Sequence, residues 1–167
     1  RHVPIIVLQH MPPILIAGLA SQLGVLGGCK AGEAADGEPI RPSAIYVAPG
    51  DRHLRLRTVG EDVVAFHDDG PPVNSCKPSA DLLFSDAAAV YGRSVLVIIL
   101  TGMGQDGLRG ASALSKVGAP ILVQDEETST VWGMPGSVAR AGLATAVLPL
   151  DGIAAAARAY WPESIAP

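Results

Sequence analysis

Basic runs, long apolar runs and clustered cysteines are all missing from this sequence, and each absence removes a class of function. With 12 Lys and Arg against 16 Asp and Glu, the formal net charge is −4. No stretch of positive charge is available to neutralise phosphates, so nucleic-acid binding is not expected. No apolar run approaches the length of a bilayer span and no signal peptide is visible, so membrane insertion is not expected either. Only two cysteines occur, Cys29 and Cys76, with no metal-ligand spacing; two reduced thiols in a cytoplasmic protein is the default reading. Internal repeats, linkers and low-complexity segments are absent as well. The chain opens on Arg1 rather than Met and enters a strand almost at once, so a fragment lacking its N-terminal part is expected.

What is present is enough for one globular domain. Its 167 residues are 49% hydrophobic and 17% charged, outside the range of disordered chains. The chain is organised around residues 94–107. Val95 to Leu100 form an unbroken apolar run, the pattern of a strand covered on both faces inside a parallel sheet. Gly102, Gly104 and Gly107 then permit a tight turn with backbone amides open to a ligand, and a helix follows. Asp106 lies in that turn, at the strand's carboxyl end, where open α/β sheets bind ligands.

Around this unit the expected elements are a strand over 2–8, a helix over 14–23 stopped by Gly24, and a short strand and turn within 26–37. A strand over 44–48 and an antiparallel edge hairpin over 54–58 and 63–66 come next. After a proline-containing loop over 68–78, a helix is expected over 80–91, with Ser79 as N-cap. Helices over 106–117, 135–141 and 153–161 alternate with strands over 120–124 and 146–148. This order predicts a doubly wound, mostly parallel α/β sheet with helices on both faces and an antiparallel edge hairpin.

Two side chains stand out chemically. His10 follows the first strand, and if that strand runs parallel to the organising one, His10 and Asp106 open on the same rim. A carboxylate bonded to one imidazole nitrogen would leave the other as a general base. Taken alone, such a histidine more often satisfies backbone groups at a turn. The hydroxyls of Ser43, Ser75, Ser79 and Thr101 do not sit in a strand-to-helix elbow, so no nucleophile is evident. Cys76 is a loop thiol that nothing in the sequence places beside His10. His53 reads as a loop residue, and His67, Asp68 and Asp69 as solvated turn residues rather than metal ligands; no metal or cofactor is expected. A rival reading takes Gly102-x-Gly104-x-x-Gly107 as a dinucleotide fingerprint with Asp125 as the ribose acid. Against it, Asp106 would put negative charge where a pyrophosphate should rest.

Five stretches, in order, resemble the catalytic domain of the bacterial chemotaxis response regulator protein-glutamate methylesterase. They are Gln9-His10-Met11-Pro12, residues 46–53 (Tyr-Val-Ala-Pro-Gly-Asp-Arg-His), Gly70-Pro71-Pro72-Val73-Asn74 through Phe84, Leu100 to Gly107, and Gln124-Asp125-Glu126 with Gly133-Met134-Pro135. The resemblance implies a serine hydrolase that removes methyl groups from glutamate methyl esters on chemoreceptor helices and can also deamidate glutamines. It makes His10 the general base, Asp106 the triad carboxylate and the Met103 amide an oxyanion donor. Asn74 and Lys77 become candidate substrate contacts, and a receiver domain becomes a possible part of the parent protein. The serine turn of that family, expected upstream of the histidine motif, is not found here, so this chain alone is expected to hydrolyse little. A non-catalytic receptor-binding domain is the remaining alternative.

Overall fold

The computed structural model describes residues 3–160; His2 and Trp161, included above in the first strand and last helix, lie outside them. The chain divides into two compact units, with the division between Asp86 and Ala87.

The first unit opens with β1 (Ile5–Val7), α1 (Pro13–Gly27), β2 (Lys30–Glu33) and β3 (Ala44–Val47). The three strands form a parallel sheet in the order β1-β3-β2. Helix α1 starts at Pro13, where a missing N–H costs nothing, and buries Ile16 and Ala20 against Ile45 and Val47 of β3. It runs past Gly24, where the sequence suggested a stop. Gly28 ends it instead, with φ 57°, while the Gly28 and Cys29 amides reach back to the Val25 and Gly24 carbonyls. Gly24 has a packing role: an added Cβ would stand 3.2 Å from that of Ala31 on β2.

Strands β4 (His53–Val59) and β5 (Asp62–Asp68) pair antiparallel in a separate two-stranded sheet, turning at Gly60. Ile40 and Ala65 amides bond the Val63 and Glu38 carbonyls, so residues 38–40 cover the outer edge of β5. Arg55 on β4 grips Asp86 through two N–H···O bonds of 2.6 and 2.9 Å and Asp68 at 3.1 Å. These carboxylates hold its guanidinium pKa above the ordinary value, Asp86 contributing most. Helix α2 (Ala80–Tyr91), which contains the division between units, is thereby tied to the hairpin.

The second unit holds β6 (Val97–Ile99), α3 (Leu108–Lys116), β7 (Ile121–Gln124), α4 (Met134–Arg140), β8 (Ala146–Leu148) and α5 (Leu150–Arg158). Its parallel sheet has the order β6-β7-β8. The central strand β7 is buried at all four positions, so it carries the fully covered run. The apolar run over 95–100 is not covered on both faces: Ile98 and Leu100 are 40% and 44% exposed while Val97 and Ile99 are buried. The sheet order explains this, since β6 is an end strand of the three and β7 the middle one.

Candidate active site

In the first unit, His10 sits a few residues beyond β1, exposed, in the segment that leads into α1. The parallel strand β3 ends at the same rim in Pro49-Gly50-Asp51. The two post-strand segments touch so closely that a Cβ on Gly50 would lie 2.7 Å from Pro13 Cα and N and 2.8 Å from the Met11 carbonyl. Every atom it would meet is backbone, so Gly50 is required where the chain after β3 props the segment bearing His10.

The 70–79 loop is built around a two-residue turn. Val73 and Cys76 exchange backbone bonds of 3.0 and 2.8 Å, and Asn74 and Ser75 between them have φ of 50° and 63°. Two successive left-handed residues are the geometry of a type I′ turn. Three side chains tie the loop down. Asn74 donates its amide to Asp81 at 2.8 Å, and Lys77 donates to the Asp69 carbonyl at 3.1 Å. His53, read from sequence as a loop residue, opens β4 and is 1% exposed. Its Nδ1 accepts the Ser79 amide at 3.1 Å, so Nε2 carries the proton and donates to the Pro71 carbonyl at 3.0 Å. Asn74 thus ties the loop to α2 and Lys77 ties it to the chain just ahead of it. The turn also brings the half-buried Cys76 sulfur within 4.8 Å of a His10 ring nitrogen, a proximity the sequence did not announce.

In the second unit, Asp106 is 2% exposed and accepts the Gly107 amide at 3.0 Å, just ahead of α3. A carboxylate there is favoured by the positive end of the helix dipole. Gly104 and Gly107 have φ of 82° and 93°, as the turn demands. Gly102 is not open to a ligand: its amide donates to the Val131 carbonyl at 3.0 Å, and its carbonyl accepts from Gly133 and Met134. An added Cβ on Gly102 would meet Met134 Sδ at 2.7 Å, and one on Gly133 would meet Gly102 O at 2.7 Å and Gly104 N at 2.8 Å. The Thr101 hydroxyl accepts from the Val131 amide at 2.9 Å and donates to the Val131 carbonyl at 3.2 Å. Buried Gln124 completes the frame. It accepts the Thr101 amide at 2.8 Å, donates to the Thr128 carbonyl at 2.8 Å, and its backbone carbonyl accepts the Trp132 indole N–H at 2.9 Å. Gln124 was part of a quoted motif but had no assigned role. Met103, held at the tip of this turn, is 85% exposed.

The same contacts count against a dinucleotide site. The fingerprint glycines serve a turn packed on residues 131–134. Asp125, the would-be ribose acid, accepts the Thr128 amide at 2.9 Å and hydroxyl at 2.6 Å, closing a local turn.

A family model described as CheB methylesterase matches residues 1–157. The chain belongs to that family. It is 55% identical over 151 residues to protein-glutamate methylesterase/protein-glutamine glutaminase 2 of Caulobacter vibrioides, covering 90% of this chain and 44% of that protein. It is 47% identical over 152 residues to the group 2 operon enzyme of the same name from Bradyrhizobium diazoefficiens, covering 91% and 38%. The crystal structure of the Thermotoga maritima CheB methylesterase catalytic domain superposes with a TM-score of 0.87 at 39% identity, over 91% of this chain and 80% of that one. The α/β fold, with its parallel sheets and one antiparallel pair, is thus the fold of a CheB catalytic domain. The chain spans less than half the length of the curated relatives it matches.

Proposed function

We propose that this CheB-family chain takes part in hydrolysis of glutamate methyl esters on chemoreceptor helices, with deamidation of glutamines as a second reaction of the same site. The observation that carries this reading is the family match over residues 1–157, together with the family's two motifs at the carboxyl ends of parallel strands. In this reading His10 is the general base and Asp106 orients its ring. The Met103 amide donates to the oxyanion as the ester carbonyl becomes tetrahedral, a contribution typically worth about 10²- to 10³-fold in rate. Methanol leaves, and water releases the acyl group with His10 again moving the proton.

The nucleophile in this reading is a serine ahead of His10 in the parent protein. The hydroxyls at hand are poorly suited to attack. Ser79 is buried beneath the loop, Thr101 is bonded on both sides to Val131, and Ser43 and Ser75 sit in left-handed turn positions. Asn74 and Lys77, besides anchoring the 70–79 loop, are the contacts to the substrate, a methylated receptor helix.

The deciding experiment is methanol release from methylated receptor by the parent protein. His10→Ala is expected to lower the rate about 10⁴-fold or more, and Asp106→Asn about 10⁴-fold. Full activity in either variant would refute the assignment. Receptor binding without any methanol release by the wild type would favour a binding domain instead.

A further inference from the structure

We propose that His10 and Cys76 form a binding site for a thiophilic divalent cation, with Zn²⁺ as the ion of matching chemistry. The two donors come from separate segments of the first unit, the chain after β1 and the turn closed by Val73 and Cys76. Their ring nitrogen and sulfur lie within 4.8 Å of one another. With Zn–S of about 2.3 Å and Zn–N of about 2.0–2.1 Å, two tetrahedral ligands stand about 3.6 Å apart. The remaining distance is closed by turning the His10 side chain, which is exposed. Cys76 is the fixed partner, set by the two backbone bonds to Val73 and by the Asn74–Asp81 bond beside it.

A thiolate and an imidazole select zinc over magnesium or calcium, which take oxygen donors. On binding, the thiol proton is released to solvent and the sulfur and a neutral imidazole nitrogen each donate an electron pair to the ion. His10 and Cys76 are the two donors assigned, and the bound ion exchanges with solvent. Cys29 provides an internal reference, because its side chain packs with the apolar cluster of α1 and β3. Blocking of the proposed base by the bound ion is a consequence that rests on the functional reading above; the binding does not.

The test uses the full 167-residue chain. Zinc affinity is measured by competition with a chromogenic chelator, and iodoacetamide alkylation of Cys76 is followed by peptide mass with and without zinc. The expected result is one zinc per chain, Cys76 alkylation slowed at least about tenfold by zinc and unaffected by Mg²⁺, and Cys29 alkylation unchanged. Cys76→Ser and His10→Ala are each expected to weaken binding by more than the roughly tenfold of an outer-shell change, and Cys29→Ser to leave it intact. Zinc that leaves the Cys76 rate unchanged in the wild-type chain overturns the proposal without any variant. Undiminished affinity in Cys76→Ser or His10→Ala overturns it as well. Zinc binding without inhibition of methanol release by the parent protein would count against His10 as base and leave the site standing.

Discussion

The 70–79 loop of the first unit is tied by side chains, whereas the glycine turn of the second is held by backbone pressed on backbone. His53, Asn74 and Lys77 each reach from a side chain to the loop or its neighbour. Around Gly102 the ties are mostly main-chain bonds to residues 131–134, joined by the Thr101 hydroxyl and the Gln124 side chain. The two designs should therefore fail differently. The first should tolerate added bulk but not lost polarity, and the second the reverse.

Gly133→Ala should produce the largest steric effect. Its φ of −82° suits alanine, so the whole penalty is steric. The new methyl would stand 2.7–2.9 Å from Gly102 and Gly104 backbone atoms, none of which can rotate away. A destabilisation at the upper end of the roughly 1–3 kcal/mol overpacking range is expected, read by urea unfolding. Because the displaced backbone carries Met103, methanol release by the parent protein should fall about 10²-fold. Gly102→Ala is the milder control. Its methyl meets the flexible end of Met134, and Gly102→Ala with Met134→Ala should recover most of the loss.

Gly50→Ala asks whether the first unit contains a spot of the second kind. The methyl would press on Pro13 and the Met11 carbonyl, shifting the segment bearing His10. A loss of about 1–3 kcal/mol is expected, with zinc affinity reduced in parallel. Unchanged stability in Gly50→Ala would show that the His10 segment is loosely held.

His53→Ala removes the polar tie instead. It leaves the Ser79 amide and Pro71 carbonyl without their imidazole and opens space in a buried site, for an expected cost of roughly 2–4 kcal/mol by urea unfolding. His53→Asn keeps an acceptor near the Nδ1 position and should fall between wild type and alanine. Equal losses in the two variants would mean that packing, not the hydrogen bonds, is what His53 contributes.

The same contrast explains what could be read from sequence. Helix α2 and strand β8 match expectation to the residue, because local signals bound them: apolar periodicity, and Gly92 after α2. The end of α1 was misplaced because a glycine inside a helix and one beyond it look alike; only the left-handed φ at Gly28 distinguishes them. Burial of β6 was overestimated because an apolar run reveals hydrophobicity but not a strand's place in the sheet order. In the candidate site, His10 and Asp106 stand out from motifs at strand ends. His53 and Gln124 were missed as organisers because their partners lie 26 and 23 positions away at Ser79 and Thr101. Asp125 had the right spacing for a ribose acid, yet its carboxylate closes the turn to Thr128. The nearness of Cys76 to His10 depends on how the 73–76 turn folds back, which no spacing along the chain encodes.

The smallest effect concerns Asp68, where the hairpin meets the loop. Its carboxylate accepts the Gly70 amide at 2.8 Å and pairs with Arg55 at 3.1 Å. The Gly70 bond first, then Arg55, hold its pKa below the ordinary 3.8. A carboxyl group with a lowered folded pKa contributes stability that is complete above the unfolded value and disappears as pH falls through the folded one. The Asp68 contribution should thus be constant near neutrality and decline only below about pH 4, and it should be small because the group is solvated. Asp68→Asn retains an oxygen for Gly70 and removes the charge facing Arg55. Urea midpoints followed from about pH 6 to about pH 3 should show a shallower acid decline in Asp68→Asn than in wild type. Coincident slopes would mean that the Arg55–Asp86 pair, bidentate and less exposed, carries the electrostatic attachment of the hairpin by itself, leaving Asp68 to fix the Gly70 amide at the entrance to the loop.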